Sequence, residues 1–337
     1  MGKAFNDSDN NKNKEWFLSG QGLLHRDGGP AVIRANGTQE WFQYGLIHRE
    51  DGPALILSDG TREWWVGGRR HRTDGPAVIY RDGRCEWYHF GSLHRLNGPA
   101  ITNPDGSEEW WAWGQHHRED GPALILSDGT QEWWAGGLRH REDGPAVVKA
   151  DGTREWWVRG QCHRENAPAI IGADGTEFWC LGGNIHRNGA PAVIHANGRQ
   201  DWYWHGHIHR LDGPAIIHAD GTQEWRIAGQ RHREDGPTII QADGTEEWWV
   251  RGRKHREGGP AVIFPDGGQE WWFNSRLHRE GGPAVVRADG SEEWWENGRC
   301  HRLDGPAVIH ADGSEEWWRD GFMRKKNEPT ESSVQTP

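Results

Sequence analysis

The sequence predicts an all-β protein, an elongated array of antiparallel β-hairpins (a meander or β-solenoid) with about 13 units of 23 residues. Three observations lead to this fold class. His-Arg recurs at a constant interval of 23 residues, Asp-Gly recurs between short apolar runs, and no segment shows helical periodicity of useful length. Each unit therefore reads as one small hairpin that stacks on its neighbours.

The composition agrees with a thin repeat protein. Of the 337 residues only 34% are hydrophobic and the mean hydropathy is -0.94, which argues against one large core. The chain nevertheless carries 24 Trp and 48 Gly, whereas disordered chains are poor in aromatic residues. Many small apolar contacts are the arrangement that fits both facts.

The repeat sets the domain boundaries. His-Arg occurs thirteen times, from His25 to His301, and a half-unit around Trp16 precedes the first copy. We expect a single repeat domain over residues 15–321. The polar flanks, residues 1–14 and 322–337, are predicted to be disordered tails.

Two strands are predicted in each unit. The first begins at a Pro-Ala step, as at Pro53, because proline suits the start of a strand. Asp59-Gly60 forms the hairpin turn, which requires positive φ. The second strand covers 61–66, and Gly68 then reverses the chain toward the next His-Arg loop.

Two columns of tryptophan follow from the second strand. The first Trp of the pair occurs in all fourteen units, and we call this set the first-Trp column. Because adjacent strand residues face opposite sides, this column is predicted to be the structural core, represented by Trp64, Trp87, Trp110, Trp133 and Trp156.

The second aromatic position is looser, since Phe17, Phe42, Tyr88, Cys180, Tyr203 and Arg226 also occupy it. A position that accepts both Trp and Arg is not tightly enclosed. We call its tryptophans the second-Trp column and predict that they form the binding surface. The members are Trp65, Trp111, Trp134, Trp157, Trp249, Trp272, Trp295 and Trp318. The sequence leaves open whether loops cover these rings.

The loop between units has a constant polar composition. Arg follows His in all thirteen copies, an Asp, Asn or Gly comes two residues later, and Glu precedes the first Trp in twelve of fourteen units. This pattern indicates a structural ladder of charge-assisted hydrogen bonds rather than a ligand site. Typical pairs are His48 with Arg49, His71 with Arg72, and His117 with Arg118.

Charge and cysteine content narrow the function classes. The net charge of -11 disfavours nucleic acid as a partner, and no apolar run is long enough for a membrane span. The four cysteines form no Cys-x-x-Cys pair, so neither a zinc site nor a disulfide framework is indicated. No signal peptide is visible at the N-terminus, and we expect a cytoplasmic protein.

The repeat resembles the MORN family, in particular its divergent bacterial variant. The residues that carry the resemblance are the 23-residue period, the Glu-Trp-Trp-x-x-Gly-x-x-His step, and the Gly-Pro-Ala strand start. It covers residues 15–321 but departs from the common MORN pattern, because the aromatic residues here are adjacent and every loop carries His-Arg. The resemblance implies a scaffold of successive hairpins, used for protein contacts or self-association.

Four function classes remain to be weighed. An enzyme is disfavoured because no unit holds a unique constellation and no catalytic motif occurs; unit 163–185, with Asn166, Ala167 and Phe178 off pattern, is the most deviant. Metal ligands could come from His116-His117, or from His205, His207 and His209 on one strand face, but solvated or structural histidines are the preferred interpretation.

Protein interaction or self-assembly through the second-Trp column is the preferred function, without catalysis and without a cofactor. The alternative is a carbohydrate or other ligand that stacks on the same rings. Both stay open at the level of the sequence.

Overall fold

The computed structural model describes residues 3–4 and 13–326. The chain divides into two compact units, the first unit (Met1–Ala173) and the second unit (Asp174–Pro337). The 23-residue segments within them are called repeats. Most of the two predicted tails lies outside the described residues. The described parts of those tails include two strands, Lys3–Ala4, which pairs with Trp16 and Phe17, and Phe322–Arg324, which pairs with residues 317–319. The paired structure therefore extends beyond the predicted 15–321 boundaries.

Each unit contains one row of antiparallel pairings in which every strand pairs with the strand before it and the strand after it. Leu55–Ile56 pairs with Arg62–Glu63, and Arg62–Glu63 pairs with Val78–Ile79 of the next repeat. No strand pairing in the described residues joins equivalent residues 23 positions apart. The predicted all-β class and its hairpin array are confirmed.

In the first unit this row consists of Lys14–Phe17, Val32–Ile33, Gln39–Glu40, Leu55–Ile56, Arg62–Glu63, Val78–Ile79, Cys85–Glu86, Ile101–Thr102, Glu108–Glu109, Leu124–Ile125, Gln131–Glu132, Val147–Val148, Arg154–Glu155 and Ile170–Ile171. Small two-stranded hairpins alternate with it. They are Phe42–Gln43 with Leu46–Ile47, Trp65–Val66 with Arg69–Arg70, Tyr88–His89 with Ser92–Leu93, Trp111–Ala112 with Gln115–His116, Trp134–Ala135 with Leu138–Arg139, and Trp157–Val158 with Gln161–Cys162.

In the second unit the row consists of Glu177–Phe178, Val193–Ile194, Gln200–Asp201, Ile216–Ile217, Gln223–Glu224, Ile239–Ile240, Glu246–Glu247, Val262–Ile263, Gln269–Glu270, Val285–Val286, Glu292–Glu293, Val308–Ile309, Glu315–Arg319 and Phe322–Arg324. Its small hairpins are Cys180–Leu181 with Asn184–Ile185, Tyr203–Trp204 with His207–Ile208, Arg226–Ile227 with Gln230–Arg231, Trp249–Val250 with Arg253–Lys254, Trp272–Phe273 with Arg276–Leu277, and Trp295–Glu296 with Arg299–Cys300.

The Asp-Gly step forms the turn of the large hairpins, as predicted, and Asn-Gly takes its place at Asn36 and Asn197. The Gly60 amide donates to the Leu57 carbonyl at 3.0 Å, and the Asp59 carboxylate accepts the Thr61 amide at 2.8 Å. Gly60 has φ +94°, the left-handed region that glycine enters without steric cost. The aspartate therefore closes the turn through its side chain, while the glycine supplies the unusual backbone angle.

The predicted second strand, 61–66, is wrong as a single element. The chain leaves the main row at the first Trp: the Trp64 amide donates to the Ala77 carbonyl, and the Trp64 carbonyl accepts the His71 amide. Arg62–Glu63 and Trp65–Val66 consequently belong to two different sheets. A repeat has four short strands instead of two, because one residue shares its backbone hydrogen bonds between both hairpins.

The core is built from alanine rather than tryptophan. The alanine that follows the loop proline in twelve of the thirteen repeats is fully buried, as is Thr238 in the remaining one, and the next residue is a buried Val or Ile in most repeats, as in Ala77 and Val78. In both Trp columns the rings are half-buried, and Trp202 alone among them reaches the buried class, at 9% exposure. Rings of both columns are partly exposed, so the prediction that the first-Trp column lies deeper than the second stays a prediction. Alternation between faces requires a continuous strand, and the strand breaks at the first Trp.

Candidate functional site

The loop arginine covers the first Trp in every repeat. In all thirteen loops of the described residues the guanidinium carbon lies 3.8–4.3 Å from the ring centroid of a first-column Trp, as for Arg72 over Trp64. A cation at this distance is attracted by the ring quadrupole. One face of thirteen of the fourteen first-column rings, all except that of Trp317, is thus occupied by the loop that follows the ring.

The same arginine ties the loop to the following strand. Arg72 donates to the Pro76 carbonyl at 3.3 Å and to the Asp74 carboxylate at 2.8 Å. Arg49 and Arg118 make the equivalent pair of bonds. These contacts are of the kind that the sequence predicts for the loop ladder, although each carboxylate partner lies in the same loop and not in a stacked neighbour.

The loop histidine holds the turn of the next small hairpin. His48 Nδ1 accepts the backbone amide of Gly67 at 3.1 Å, and His117 Nδ1 accepts that of Gly136 at 3.2 Å. An Nδ1 that accepts a hydrogen bond belongs to a neutral imidazole with its proton on Nε2. Burial and the nearby His89 lower the pKa of His71 and of His94, which favours this neutral form in two of the loops.

The second-Trp column is anchored by glutamate. The indole Nε1 of each of its eight members donates to the carboxylate two residues earlier at 2.8–3.0 Å, as in Trp65 with Glu63. Glu63 is only 5% exposed and also accepts two bonds from Arg70. The flanking glutamates are therefore part of the ring anchor.

Histidine and arginine side chains lie between successive rings. His116 lies 3.8 Å from Trp111 and 5.3 Å from Trp134, measured between ring centroids. Arg139 lies 5.3 Å from the Trp134 centroid and 5.7 Å from that of Trp157. The second-Trp column is consequently a stack of rings and cations with fixed orientation, and only part of each ring faces solvent.

Two glutamates of this row have lowered pKa values. The hydrogen bond from His116 lowers the pKa of Glu109. Burial acts to raise the pKa of Glu224, but the bonds from Arg226 and His218 outweigh it and lower that pKa to about 2. The stack thus balances buried negative charge with adjacent positive charge.

Open grooves separate consecutive loops. In the second unit a groove of about 620 Å³ has Trp248, Trp249 and Val250 among its lining residues, together with Glu234 and Glu257 from the two loops. Those two glutamates are 90% and 92% exposed. The first unit has a related groove between the loops at His25 and His48, lined by Trp41 and by Glu50. Each groove combines aromatic surface with solvated carboxylates.

The sequence analysis missed a row of side chains at the tips of the small hairpins. Tyr44, Phe90 and Trp113 are 62%, 51% and 66% exposed and have positive φ, at a position where other repeats have glycine, such as Gly67. A bulky residue in that region is unusual. The signal in the sequence is the replacement of a turn glycine by an aromatic residue, one position before the constant Gly.

The predicted metal candidates are not brought together. His116 is bonded to Glu109 at 3.0 Å within the stack. His205 lies at the hairpin tip with φ +47°, so His205, His207 and His209 do not share one strand face. Within residues 13–326 no group of three or more His, Cys, Asp or Glu side chains is arranged to hold a metal ion.

The deviant repeat at 163–185 keeps the regular loop contacts. Arg164 lies over Trp156 at 3.8 Å and donates to the Pro168 carbonyl, although Asn166 replaces the usual Asp. Phe178 occupies a glutamate position in the main row of the second unit, next to buried Cys180.

Neither a model of a known protein family nor a curated protein sequence matches this chain. The resemblance to MORN repeats therefore stays a prediction. None of the described residues forms a helix long and apolar enough to cross a membrane.

Proposed function

We propose that this protein is a non-enzymatic repeat scaffold whose inter-loop grooves bind a lysine- and arginine-rich segment of a partner protein. The observation that carries the proposal is the combination found in the grooves, where half-buried aromatic rings line the space and solvated glutamates stand on the surrounding loops. Aromatic faces and carboxylates both attract cations.

Repetition of the groove supports a distributed mode of binding. Consecutive loops at His117 and His140 both carry Glu-Asp pairs with side chains 82–91% exposed. Near-identical sites in a row favour a partner that engages several of them weakly, so that linked contacts raise the total affinity. The net charge of -11 adds long-range attraction for a basic segment.

The test uses a synthetic peptide of alternating lysine and glycine, long enough to cover several grooves, with a glutamate–glycine peptide as its control. Binding of the lysine peptide should weaken with salt, and replacing Glu119, Glu142 and Glu165 together by Gln should lower its affinity by about 10-fold. These glutamates are on exposed loops, so folding should be unchanged.

Ring variants distinguish a distributed surface from a single site. Trp134→Ala should weaken binding of the lysine peptide modestly. The combined replacement of Trp111, Trp134 and Trp157 by Ala should weaken its binding far more. Loss of all binding in Trp134→Ala, with folding intact, would show that one specific site is responsible. Equal binding of the acidic peptide would refute the proposal.

A further inference from the structure

An uncharged aromatic patch interrupts the acidic loops of the first unit. Phe90 and Trp113 stand at consecutive hairpin tips, and the loop between them carries Leu96 and Asn97 where other loops have Glu-Asp. Leu96 is 85% exposed. A contiguous apolar patch with a polar rim is typical of a binding site. We call these residues, together with His71, His89 and His94, the tip cluster.

Each exposed ring of the tip cluster rests on an imidazole. The Phe90 ring lies 4.1 Å from that of His71 at an interplanar angle of 10°, and the Trp113 ring lies 4.3 Å from that of His94 at 18°. The same imidazoles accept the backbone amides of these two residues. One face of each ring is therefore held against an imidazole, while Phe90 and Trp113 stay 51% and 66% exposed.

His89 lies between the exposed rings of Phe90 and Trp113, which we call the two platforms. Its ring approaches Phe90 edge-on at 4.8 Å and Trp113 edge-on at 5.5 Å. Burial, together with His89, lowers the pKa of His71 and His94, so these two supporting rings are uncharged at neutral pH. The two supporting imidazoles thus add no charge beneath the rings, and the stem of the exposed Arg69 lies beside the neighbouring Gly91.

The spacing of the two platforms follows from the repeat. Equivalent positions in consecutive repeats are two strand spacings apart, about 10 Å. The tips on either side, Gly67 and Gly136, carry no side chain, and the only atom near an added Cβ at Gly136 is Gln115 Oε1 at 3.9 Å. Two platforms thus stand between two open positions that leave room for the ends of a longer ligand.

We propose that the tip cluster binds an extended neutral oligosaccharide, with rings one and three of a trisaccharide segment stacked on Phe90 and Trp113. The C–H faces of β-linked pyranoses are flat and apolar, which matches the open ring faces, while Ser92, Asn97 and Gln115 offer neutral hydrogen-bonding groups for hydroxyls. This inference is independent of the basic-peptide proposal, because it concerns the uncharged tips and not the acidic grooves.

Calorimetric titration with neutral β-linked oligosaccharides of glucose, N-acetylglucosamine and xylose, from disaccharide to hexasaccharide, tests the proposal. At least one series should bind, with affinity rising from disaccharide to trisaccharide as the second platform is reached. Phe90→Gly and Trp113→Gly should each lower that affinity by about 10-fold or more. Glycine already occupies this turn position in other repeats, so both variants should keep the wild-type unfolding temperature.

Two further variants complete the design. Arg159→Gly removes a tip side chain without an aromatic ring and should leave the affinity unchanged, whereas Gly136→Trp should add a third platform and strengthen binding of the longer oligosaccharides. The proposal is overturned if no oligosaccharide binds, or if the double variant Phe90→Gly/Trp113→Gly binds as the wild type does. Loss of lysine-peptide binding in that variant, without any sugar binding, would assign the cluster to a protein interface instead.

Discussion

Rings of both tryptophan columns are half-buried, yet the repeats tolerate replacement in the second column and not in the first. The first Trp is present in all fourteen copies of this part of the repeat, whereas six copies have another residue at the second position. The first ring lies under an arginine, and its backbone joins two sheets. The second ring makes one side-chain bond to a glutamate and packs between cations.

The replacements at the second position show what that position requires. Arg226 stands in place of Trp and donates to Glu224 through its guanidinium, at 2.8 Å, as the indole does elsewhere. Tyr88 lacks an equivalent ring N–H, and the Oε2 atom of buried Glu86 has no hydrogen-bond partner. Retention in this array therefore follows the number of elements that a residue joins. At the second position Trp and Arg226 donate to the buried carboxylate, but Phe17 and Phe42 show that a donor there is not required.

The largest expected effect on stability comes from replacing the two neighbouring tryptophans of one repeat. Trp133→Ala should lower the free energy of unfolding by about 3 kcal/mol, because it removes the surface on which Arg141 packs and the ring at the junction of two sheets. Trp134→Ala should cost about 1–2 kcal/mol, since it leaves Arg139 to neutralise Glu132. Urea unfolding measures both, and equal losses would contradict the comparison.

A second test of the two columns removes the glutamate that anchors a second-column ring instead of the ring itself. Glu132→Ala should lower the free energy of unfolding by about 2 kcal/mol, because the Trp134 indole N–H and the Arg139 guanidinium both lose their acceptor. Glu142→Ala, whose side chain is 84% exposed, is the matched control and should unfold as the wild type does. A wild-type result for Glu132→Ala would mean that the second ring is held by packing alone.

Lowering the pH should reduce the stability of the fold through the loop histidines that accept the hairpin-turn amides. The folded state lowers the pKa of His71 and His94, so the unfolded chain binds more protons near the ordinary histidine pKa of about 6.5. Their contribution to stability is complete above that pH and is lost as the pH falls through the folded values. Protonation at Nδ1 also removes the acceptor for the turn amides.

Thermal unfolding between pH 7.5 and pH 5 measures this effect, which is expected to be smaller than that of either substitution above. Variants His71→Gln and His94→Gln should show a shallower pH dependence than the wild type. His207→Gln changes a histidine outside the turn contacts and should retain the wild-type slope.

Much of the local structure could be predicted because the same turn and strand signals recur in each repeat. Asp59-Gly60 gives the turn directly, and Pro53 gives the start of a strand. The break at Trp64 could not be predicted, since nothing in Thr-Arg-Glu-Trp-Trp-Val indicates that one residue pairs with two sheets. The inference that the two rings of a pair face opposite sides depended on that strand, because alternation of faces requires a strand that continues through both residues.

By itself the sequence determined the all-β class, the period and the hairpin turns, because these depend on local backbone preferences repeated every 23 residues. Only the tertiary structure decided which residues form the core and which side chains stay open. Ala77 is buried because a neighbouring repeat donates an amide to its carbonyl, and Trp113 is exposed because its turn projects beyond His94. Both outcomes depend on contacts between residues of different repeats, which a single repeat read along its own length does not contain.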